Sequence, residues 1–440
     1  MGMVVNREVT SVNNEYKYQE GETGLEMFVL NSTIEFDALE KPWTELAETS
    51  KALIFQTFEW NRIWWKHFGD QKKLNIIIFY DQEKLVGIVP LFIDSIKLAG
   101  VNGYASLRFI GSNVSQPAED DLIGLISYSD YLSFIIMPGY EYIINRTLIH
   151  YFRQLNPSIY EIVLNVVPGD SSVCNIFVPV WQANGFDVRV VRVNESQSIE
   201  LPNYWEDFLK VLSKNTRSHT RRALKKISDS ESKVFEITEV EDLKDVSKVF
   251  DELVTMHQNR WNRMGYLGTF AERANYNFHK EVTEKFFERG WLQIKRVHSI
   301  HEQQKCVAID LNFSYNNRLY GVHCAVDDLS DFYDKSPGNA LLSYILKEAI
   351  ENGIHAYDFL RGDERYKKVL ANKSLPIFEI IIKNPSEKPS LLASTFLNYT
   401  AIKRKAKREK EFVKFMLNNR PFWKVFKGYG ERVVQKISKL

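Results

Sequence analysis

The chain has 440 residues, of which 44% are hydrophobic, 26% charged and 13% aromatic, and its formal net charge is +1. Such a composition excludes a largely disordered chain, and the balanced charge gives the molecule as a whole no signature of nucleic-acid binding. The length exceeds that of one ordinary hydrophobic core, so we expect two or three domains.

Cysteine usage and hydropathy indicate a reducing compartment. Cys174, Cys306 and Cys324 are odd in number and widely spaced, without the close pairing typical of a cysteine zinc site, so we expect no metal. The N-terminal residues lack the apolar core of a signal peptide, and no run reaches the roughly 18 apolar residues of a membrane-spanning helix. We therefore predict a cytoplasmic protein.

The sequence pattern of the first half of the chain predicts a mixed α/β domain. Residues 1–38 are polar and are predicted to form an irregular N-terminal extension, and helical and extended patterns then alternate over residues 39–195. In chain order, the predicted elements are an aromatic helix at Phe58–Phe68, a hairpin of Leu74–Tyr80 and Leu85–Ile93, a helix from Pro138-Gly139 to about Leu155, and a strand at Tyr160–Val166.

Residues 196–384 repeat that order. The predicted elements are a helix around Phe278–Phe287, a hairpin of Trp291–Val297 and Lys305–Phe313, a strand at Arg318–Val326, a helix from Pro337-Gly338 to about Asn352, and a strand at Ala356–Leu360. Each half ends in a Gly-Asp pair, at Gly169-Asp170 and Gly362-Asp363. We predict two related α/β domains in tandem, because the repeat has the length of a domain.

The last residues form a strongly basic tail. Residues 401–440 carry 13 Lys and Arg against 3 Asp and Glu, with aromatic residues interleaved. This pattern predicts a basic amphipathic helical tail over residues 385–440. Docking of its apolar side on the preceding domain is the default expectation, peripheral contact with the inner face of a membrane is the second, and RNA backbone binding is also compatible with it.

The start of the helix at Pro337 has the features of an anion site. Ser336 can serve as N-cap, Pro337 suits the first turn, and Gly338 allows a ligand to approach the free backbone N–H groups, where the helix dipole favours negative charge. Asn339 and Ala340 complete this segment. The alternative is an ordinary helix cap without a ligand.

A histidine lies on the predicted helix over about Leu243–Asn259. Phe250, Val254, His257 and Trp261 fall at helical spacing, so His257 lies on or beside the apolar face. A lone histidine there is more often a hydrogen-bonded core residue than a catalytic one. As a functional residue it would be a general base, since an imidazole with a pKa of about 6.5 can deprotonate an ammonium group.

In the run Tyr357–Lys368, a predicted buried strand is followed directly by several charged residues of both signs. Arg361 and Lys367 suit binding of phosphate or carboxylate, and Asp363 suits an ammonium group or a sugar hydroxyl. Tyr366 can protonate a leaving group. The competing interpretation is a solvated loop with local ion pairs.

A basic helix is predicted over Tyr204–Ile227. Its apolar part contains Trp205, Phe208, Leu209 and Leu212, and its basic part contains Lys214, Arg217, Arg221, Arg222, Lys225 and Lys226. Binding of donor phosphates or of an anionic acceptor is one interpretation, and a solvated charged face is the other.

Together these segments resemble the BioF2-like acetyltransferase domain of the GNAT superfamily. His257, Arg260, Trp261, Gly265 and Phe270 match the family's Leu-His-x-x-Arg-Trp pattern followed by glycine and phenylalanine, with Met256 in place of leucine. Residues 362–367 match its terminal Gly-Asp/Glu-x-x-Tyr-Lys pattern. The coenzyme A signature Gln/Arg-x-x-Gly-x-Gly/Ala is not met as written, because residues 335–340 begin with lysine.

The resemblance implies tandem GNAT-like domains with mixed, mostly antiparallel sheets flanked by helices. It also implies transfer of an acyl group, usually acetyl, from acyl-CoA to a primary amine on a small-molecule or lipid-linked acceptor, with amino-sugar or cell-envelope polysaccharide precursors favoured. The implied roles are donor binding at Ser336, Gly338, Asn339 and Ala340, proton removal by His257 or Asp363, proton donation to the leaving sulfur by Tyr366, and acceptor positioning by Arg260, Trp261, Arg361 and Lys367. Only the second half has the Glu364, Tyr366 and Lys367 that follow Gly-Asp, so the first is expected to be non-catalytic.

Two rival functions remain open at this point. A Fem-type transferase also pairs two GNAT-like domains and uses aminoacyl-tRNA as donor, which is the one case in which a nucleic acid would be a partner. However, the long helical hairpin arm usual in that family has no counterpart in the sequence. A non-enzymatic envelope-assembly protein with decayed GNAT folds is the second rival.

Overall fold

A computed structural model describes residues 17–19, 24–98, 101–112, 129–155, 159–301, 304–362 and 364–383. Its strands are β1 (Lys17–Gln19), β2 (Leu25–Leu30), β3 (Lys73–Asp81), β4 (Lys84–Leu98), β5 (Val101–Phe109), β6 (Ile135–Ile136), β7 (Ile159–Pro168), β8 (Asp187–Glu200), β9 (Phe235–Glu239), β10 (Leu292–Ser299), β11 (Cys306–Tyr315), β12 (Arg318–Val326), β13 (Ala356–Arg361) and β14 (Lys373–Lys383). Its helices are α1 (Thr33–Ala38), α2 (Glu40–Thr49), α3 (Phe58–Phe68), α4 (Glu141–Arg153), α5 (Val178–Ala183), α6 (Trp205–Val211), α7 (Lys214–Ser228), α8 (Leu243–Arg263), α9 (Arg273–Glu288), α10 (Pro337–Glu351) and α11 (Arg365–Leu370). The predicted tail at 385–440 and Asp363 lie outside the described residues.

All described strands belong to one mixed sheet. Its order is β1-β2-β3-β4-β5-β7-β14-β8-β13-β12-β11-β10-β9, with β6 paired to β4. Neighbours are antiparallel except for two pairs, β5 with β7 and β12 with β13. Each parallel pair is connected through a helix, α4 or α10, as a parallel crossover requires. The predicted fold class, a mixed and mostly antiparallel α/β tandem, is confirmed.

The two halves are joined through their last strands. β14, at the end of the second half, lies between β7 and β8 of the first half, and β8 in turn pairs with β13. The predicted boundary between residues 195 and 196 therefore falls inside β8, and the sheet continues across it without a linker.

Two local predictions were wrong. Residues 25–38 are not irregular, because they form β2 and α1, and α1 begins with a capping box in which Ser32 and Glu35 bond to each other's backbone. The helix predicted over Tyr204–Ile227 is two helices, since Leu212 is extended and Ser213 caps α7 by accepting from the Thr216 N–H at 3.2 Å.

An aromatic core connects the halves. Trp60 of α3 packs against Phe278, Phe286 and Phe313 of the second half, with ring centroids 5.0 to 6.2 Å apart. Phe55 similarly meets Tyr320 edge to face at 5.8 Å. These large rings are almost fully buried, so the two halves share one core at this junction.

The parallel pair β12 and β13 separates partway along its length. The two strands pair only from Arg318 to Tyr320 and from Ala356 to Asp358. Just beyond, Leu360 adopts a left-handed φ of 60°, and the pairing of β13 with β8 becomes irregular. The strands therefore diverge after this point and leave a gap between them.

Asp358 holds this distortion in place. Its buried carboxylate accepts hydrogen bonds from the Leu360 N–H at 2.8 Å, the Tyr131 hydroxyl at 2.7 Å and Arg318 at 3.1 Å. The hydrogen bond from Leu360 compensates part of the cost of a left-handed conformation at a residue with a branched side chain. The hydrogen bond from Tyr131 connects Asp358, in the second half of the chain, to the first half.

Among the described residues, no helix has both the length and the apolar character needed to cross a membrane.

We predict that Asp358→Ala lowers the free energy of unfolding by about 3 kcal/mol, because it leaves Arg318, Tyr131 and the Leu360 N–H without their acceptor. Urea denaturation followed by fluorescence measures this change. Asp251→Ala is the control, since Asp251 is half-exposed and pairs with Lys280 near the surface; its cost should stay below about 1 kcal/mol. Equal costs for the two variants would contradict the role assigned to Asp358.

Candidate active site

A cavity of about 970 Å³ lies where β12 and β13 separate. Its wall includes Gly321–Cys324 of β12, Phe359–Gly362 at the end of β13, and the first residues of α10. The predicted site residues that line it are His257, Arg260, Trp261, Ser336, Gly338, Asn339, Arg361, Tyr366 and Lys367. The tertiary structure therefore brings together three segments that are far apart in the sequence.

The first turn of α10 offers two unused backbone donors. Pro337 has no N–H, and within the described residues neither Gly338 nor Asn339 donates its N–H to a backbone acceptor. Ala340 differs, because its N–H already donates to the Ser336 carbonyl and the residue is buried in the core. Ser336 occupies the N-cap position with a φ of 56°, but its side chain makes no capping hydrogen bond, contrary to prediction.

Glycine at position 338 permits close packing of this turn on β12. A Cβ atom added to Gly338 would lie 3.1 Å from a methyl carbon of Val326, which is tighter than ordinary van der Waals contact. The two free N–H groups therefore lie next to the strand that borders the gap.

Cations from α7 gather at the same end of α10. The Lys226 ammonium donates to the Lys335 carbonyl at 2.5 Å, one residue before the N-cap. Burial lowers the pKa of Lys226, and the positive charges of Lys335 and Arg222 lower it further. Like charges held this close, beside the positive end of a helix dipole, favour binding of an anion.

His257 belongs to a cluster of three histidines around Phe270. The Phe270 ring lies 5.1 Å from His257 and 5.0 Å from His323, and the His323 and His279 rings are 4.8 Å apart. His257 Nδ1 is 3.2 Å from the Gln258 side-chain oxygen, whose amide nitrogen donates to the Leu267 carbonyl at 2.7 Å. Since that second bond fixes the Gln258 amide, His257 Nδ1 carries the hydrogen and Nε2 keeps its lone pair.

Burial keeps all three histidines neutral. It lowers the pKa of His257 to about 4 and that of His279 to about 3, and it lowers the pKa of His323 well below 6.5. Repulsion adds to the effect, because the Arg260 charge opposes protonation of His257, and a proton on one histidine of the cluster would oppose a proton on His279 or His323. His257 is therefore a much weaker base than an ordinary imidazole.

Arg260 and Trp261 lie at the cavity on the last turns of α8. The Trp261 ring packs on His257 at 5.6 Å and on Tyr266 at 5.5 Å. No carboxylate of the described residues forms an ion pair with Arg260. Its guanidinium and the indole face are thus available to a bound anion or ring.

Arg361 and Lys367 reach the cavity but already have protein partners. Arg361 forms an ion pair with Asp130, which belongs to the first half of the chain and is almost buried. The Lys367 ammonium donates to the Arg361 carbonyl at 2.8 Å and pairs with Glu364 at 3.1 Å. Both cations therefore stabilise the wall of the cavity around Gly362.

Tyr366 faces the cavity and is 44% exposed there. Loss of solvation by the surrounding protein raises the pKa of its hydroxyl far above 10, and the negative charge of Glu364 raises it further. The hydroxyl is therefore protonated at neutral pH and can donate a hydrogen bond to a bound ligand or relay a proton.

A polar network on β11 was not predicted from the sequence. Asp310 pairs directly across the strands with Cys324, and both line the cavity. Asn312 donates to Asp310 at 2.7 Å and accepts from the Tyr357 hydroxyl at 3.0 Å. The signal for this network was an aspartate and an asparagine two residues apart, on one face of an otherwise apolar strand.

Residues 214–368 match the sequence model of the acetyltransferase (GNAT) domain. The second half of the chain therefore contains a GNAT-type acetyltransferase domain. Among solved structures, FemX is similar over 80% of this chain and 96% of its own, with 13% identity and a TM-score of 0.53. A tandem GNAT protein from the clavulanic acid biosynthesis pathway is similar over 82% of this chain and all of its own, with 11% identity and a TM-score of 0.44.

Comparison with curated protein sequences finds no match to this chain. The likeness to FemX concerns the fold, and it agrees with the tandem arrangement predicted from the sequence. Within the described parts of the chain, no group of three or more His, Cys, Asp or Glu side chains is arranged to hold a metal ion.

We predict that the histidine cluster makes stability depend on pH. The folded-state pKa values lie below 6.5, so the neutral histidines contribute full stability above pH 6.5, and this contribution is lost as the pH falls through 6.5 toward 4. The expected loss is about 1.4 kcal/mol per pH unit for each fully shifted histidine.

Urea denaturation of the wild type and of His279→Asn, at about pH 7.5 and about pH 5.5, measures this effect. The variant should be less stable at the higher pH but should lose less stability on acidification. Asp310 has a raised pKa and therefore changes the stability with pH in the opposite direction to the histidines. Because Asp310 is present in both proteins, its contribution cancels when the two losses are compared. Parallel losses in the two proteins would show that His279 titrates normally in the folded state.

Proposed function

We propose that the protein transfers an acyl group, typically acetyl, from acyl-CoA to a primary amine on an amino sugar or another precursor of a cell-envelope polysaccharide. One observation carries this proposal: the free N–H groups of Gly338 and Asn339 lie beside a cluster of cations at a cavity opened by two diverging strands. The acceptor class comes from the resemblance of residues 200–375 to BioF2-like domains.

The proposed donor fits the residues present. Its diphosphate would accept from the N–H groups of Gly338 and Asn339, with Lys226 and Lys335 supplying positive charge. Beyond Tyr320 no described residue of β13 pairs with β12. The pantetheine arm, which carries amide groups, would find backbone partners along this strand edge.

The same strand supports the transfer step. Val322 is an extra residue between the paired positions Gly321 and His323, so the strand bulges at the cavity wall. Backbone N–H groups of Leu319–Val326 would polarise the thioester carbonyl. Tyr366, which stays protonated, would give its proton to the departing sulfur.

The acceptor side of the cavity is both aromatic and charged. Trp261 offers a flat apolar face and Arg260 an unpaired guanidinium, which suits a sugar ring bearing phosphate or carboxylate. Arg361 and Lys367 would position the acceptor through the wall that they stabilise. Of the two bases suggested by the sequence, His257 lies at this cavity, whereas Asp363 is outside the described residues.

A donor screen tests the proposal. Purified full-length protein is incubated with a mixed acyl-CoA pool and an amino-sugar acceptor such as glucosamine, and free CoA and acylated product are detected by mass spectrometry. Thermal-shift titration with acetyl-CoA and filter binding of charged tRNA are run in parallel. Binding of charged tRNA without any response to acyl-CoA would overturn the proposed donor and favour the Fem-type alternative.

We further predict that Lys226→Ala weakens acetyl-CoA binding about tenfold, which corresponds to the loss of one charge-assisted contact. Isothermal titration calorimetry gives the dissociation constant. The control is Lys244→Ala, because Lys244 is exposed in the first turn of α8, whereas the residues of α8 that line the cavity are in its last turns. Equal affinities for the two variants would place the donor phosphates away from α7.

A further inference from the structure

We propose that Asp310 binds the ammonium group of the acceptor and removes its proton. This inference rests on the proposed function and assigns the base of the transfer step to a residue on β11. Three observations support it: the position of the carboxylate, its lack of a cationic partner, and the groups that surround it.

The position of Asp310 is set by the alternation of β11. The strand is buried almost throughout, and the side chains of Asp310 and Asn312 share the face that borders the cavity. Asp310 is 5% exposed, and it lies directly opposite Cys324, next to the bulge at Val322. The carboxylate thus lies beside the strand segment proposed to hold the reacting acyl group.

Asp310 is the buried aspartate of the described chain that lacks an arginine. The two other buried aspartates, Asp130 and Asp358, pair with Arg361 and Arg318. Asp310 receives hydrogen bonds from the Asn312 amide and the Cys324 thiol, both of which are neutral. A carboxylate has room for about four hydrogen bonds, so it can still accept from a ligand in the cavity.

An unpaired buried carboxylate is costly to the fold, and a cationic ligand would remove that cost. An ammonium group supplies one positive charge and three N–H donors, which matches the free capacity of Asp310. The charge of this residue therefore selects an amine rather than a hydroxyl as the acceptor.

Burial raises the pKa of Asp310 to about 6. The carboxylate is thus ionised at neutral pH, yet it is a stronger base than an ordinary aspartate, as proton removal from an amine requires. His257 is the weaker base of the two, because burial lowers its pKa to about 4. His257 instead packs on Trp261 and is held by Gln258, which suits a positioning residue.

The acceptor ammonium gives one proton to Asp310, and the neutral amine attacks the thioester carbonyl carbon. A C–N bond forms and the C–S bond breaks. Tyr366 passes a proton from the nitrogen to the departing sulfur in one concerted movement, so that it never carries a charge, and Asp310 later releases its proton to solvent.

An acyl-enzyme on Cys324 is disfavoured by the same contact. Cys324 is exposed to the cavity, and there the surrounding protein and the neighbouring Asp310 raise the pKa of its thiol well above 9, so the reactive thiolate is scarce at neutral pH. Cys324 therefore acts as a hydrogen-bond donor that orients Asp310.

The test compares two acceptors that differ in their need for a base. Glucosamine is mostly protonated at about pH 6.5, whereas the much less basic hydroxylamine is mostly neutral there and needs no base. With acetyl-CoA as donor, Asp310→Asn should lower kcat/KM for glucosamine by about 100-fold or more and change the hydroxylamine rate by much less. For the wild type, kcat/KM with glucosamine should fall below about pH 6, and in the variant this limb should be replaced by one at the higher pKa of the glucosamine amine itself, because only the neutral amine can then react.

Control variants distinguish the role of Asp310 from that of the other candidate residues at the cavity, His257 and Cys324. Asp251→Asn, a matched change outside the cavity, should leave both rates unchanged. His257→Gln and Cys324→Ala should each reduce the glucosamine rate less than Asp310→Asn does, and both should retain the acidic limb. Circular dichroism and acetyl-CoA thermal shifts confirm that each variant is folded and binds the donor.

The outcomes are distinguishable. A wild-type protein that accelerates neither reaction and shows no acetyl-CoA shift overturns the proposed function, and this inference with it. Active wild type with an equally active Asp310→Asn variant, or loss of the acidic limb in His257→Gln, overturns the role of Asp310 alone. Equal loss of both reactions in a folded Asp310→Asn variant shows that the residue serves the donor side, and also contradicts the proposal.

Discussion

The divergence of β12 and β13 creates the cavity and determines which side chains line it. Two parallel strands normally continue their hydrogen bonds, and here Asp358 supplies the alternative partner that lets Leu360 leave the ladder. The gap that results exposes one edge of β12 and gives the first turn of α10 access to it. Without this local distortion β12 and β13 would stay paired, and the cavity between them would not form.

The first half of the chain contributes to that site although it lacks the residues expected of a catalytic domain. Tyr131 bonds to Asp358, Asp130 neutralises Arg361, and Phe55 and Trp60 close the inner end of the cavity. The sheet that runs through β14 and β8 fixes these residues against the second half. We infer that the tandem arrangement supplies rigidity and an inner wall rather than a second reaction centre.

Charge is distributed unevenly around the cavity. Lys226 and Lys335 lie at the helix end proposed for the donor, and the cations of Arg361 and Lys367 are neutralised by the protein. Asp310 lines the cavity and has no cationic partner among the described residues. An anionic donor and a cationic acceptor would therefore be drawn to different parts of one cavity. This separation provides orientation before any bond changes, which is a large part of catalysis by proximity.

Local sequence patterns predicted the hairpins, the helices from Phe58 and Pro337, the tandem order, and the His257 and Gly362 segments, because hydrophobic period, turn residues and helix starts are local properties of the chain. The strand at Leu25–Leu30 and the end of α6 before α7 were not predicted. Three features could not be predicted from the sequence: β14 lies between β7 and β8, Arg361 pairs with Asp130, and Asp310 faces a cavity. Those features depend on contacts between residues far apart in the chain, and on burial, which local spacing does not encode.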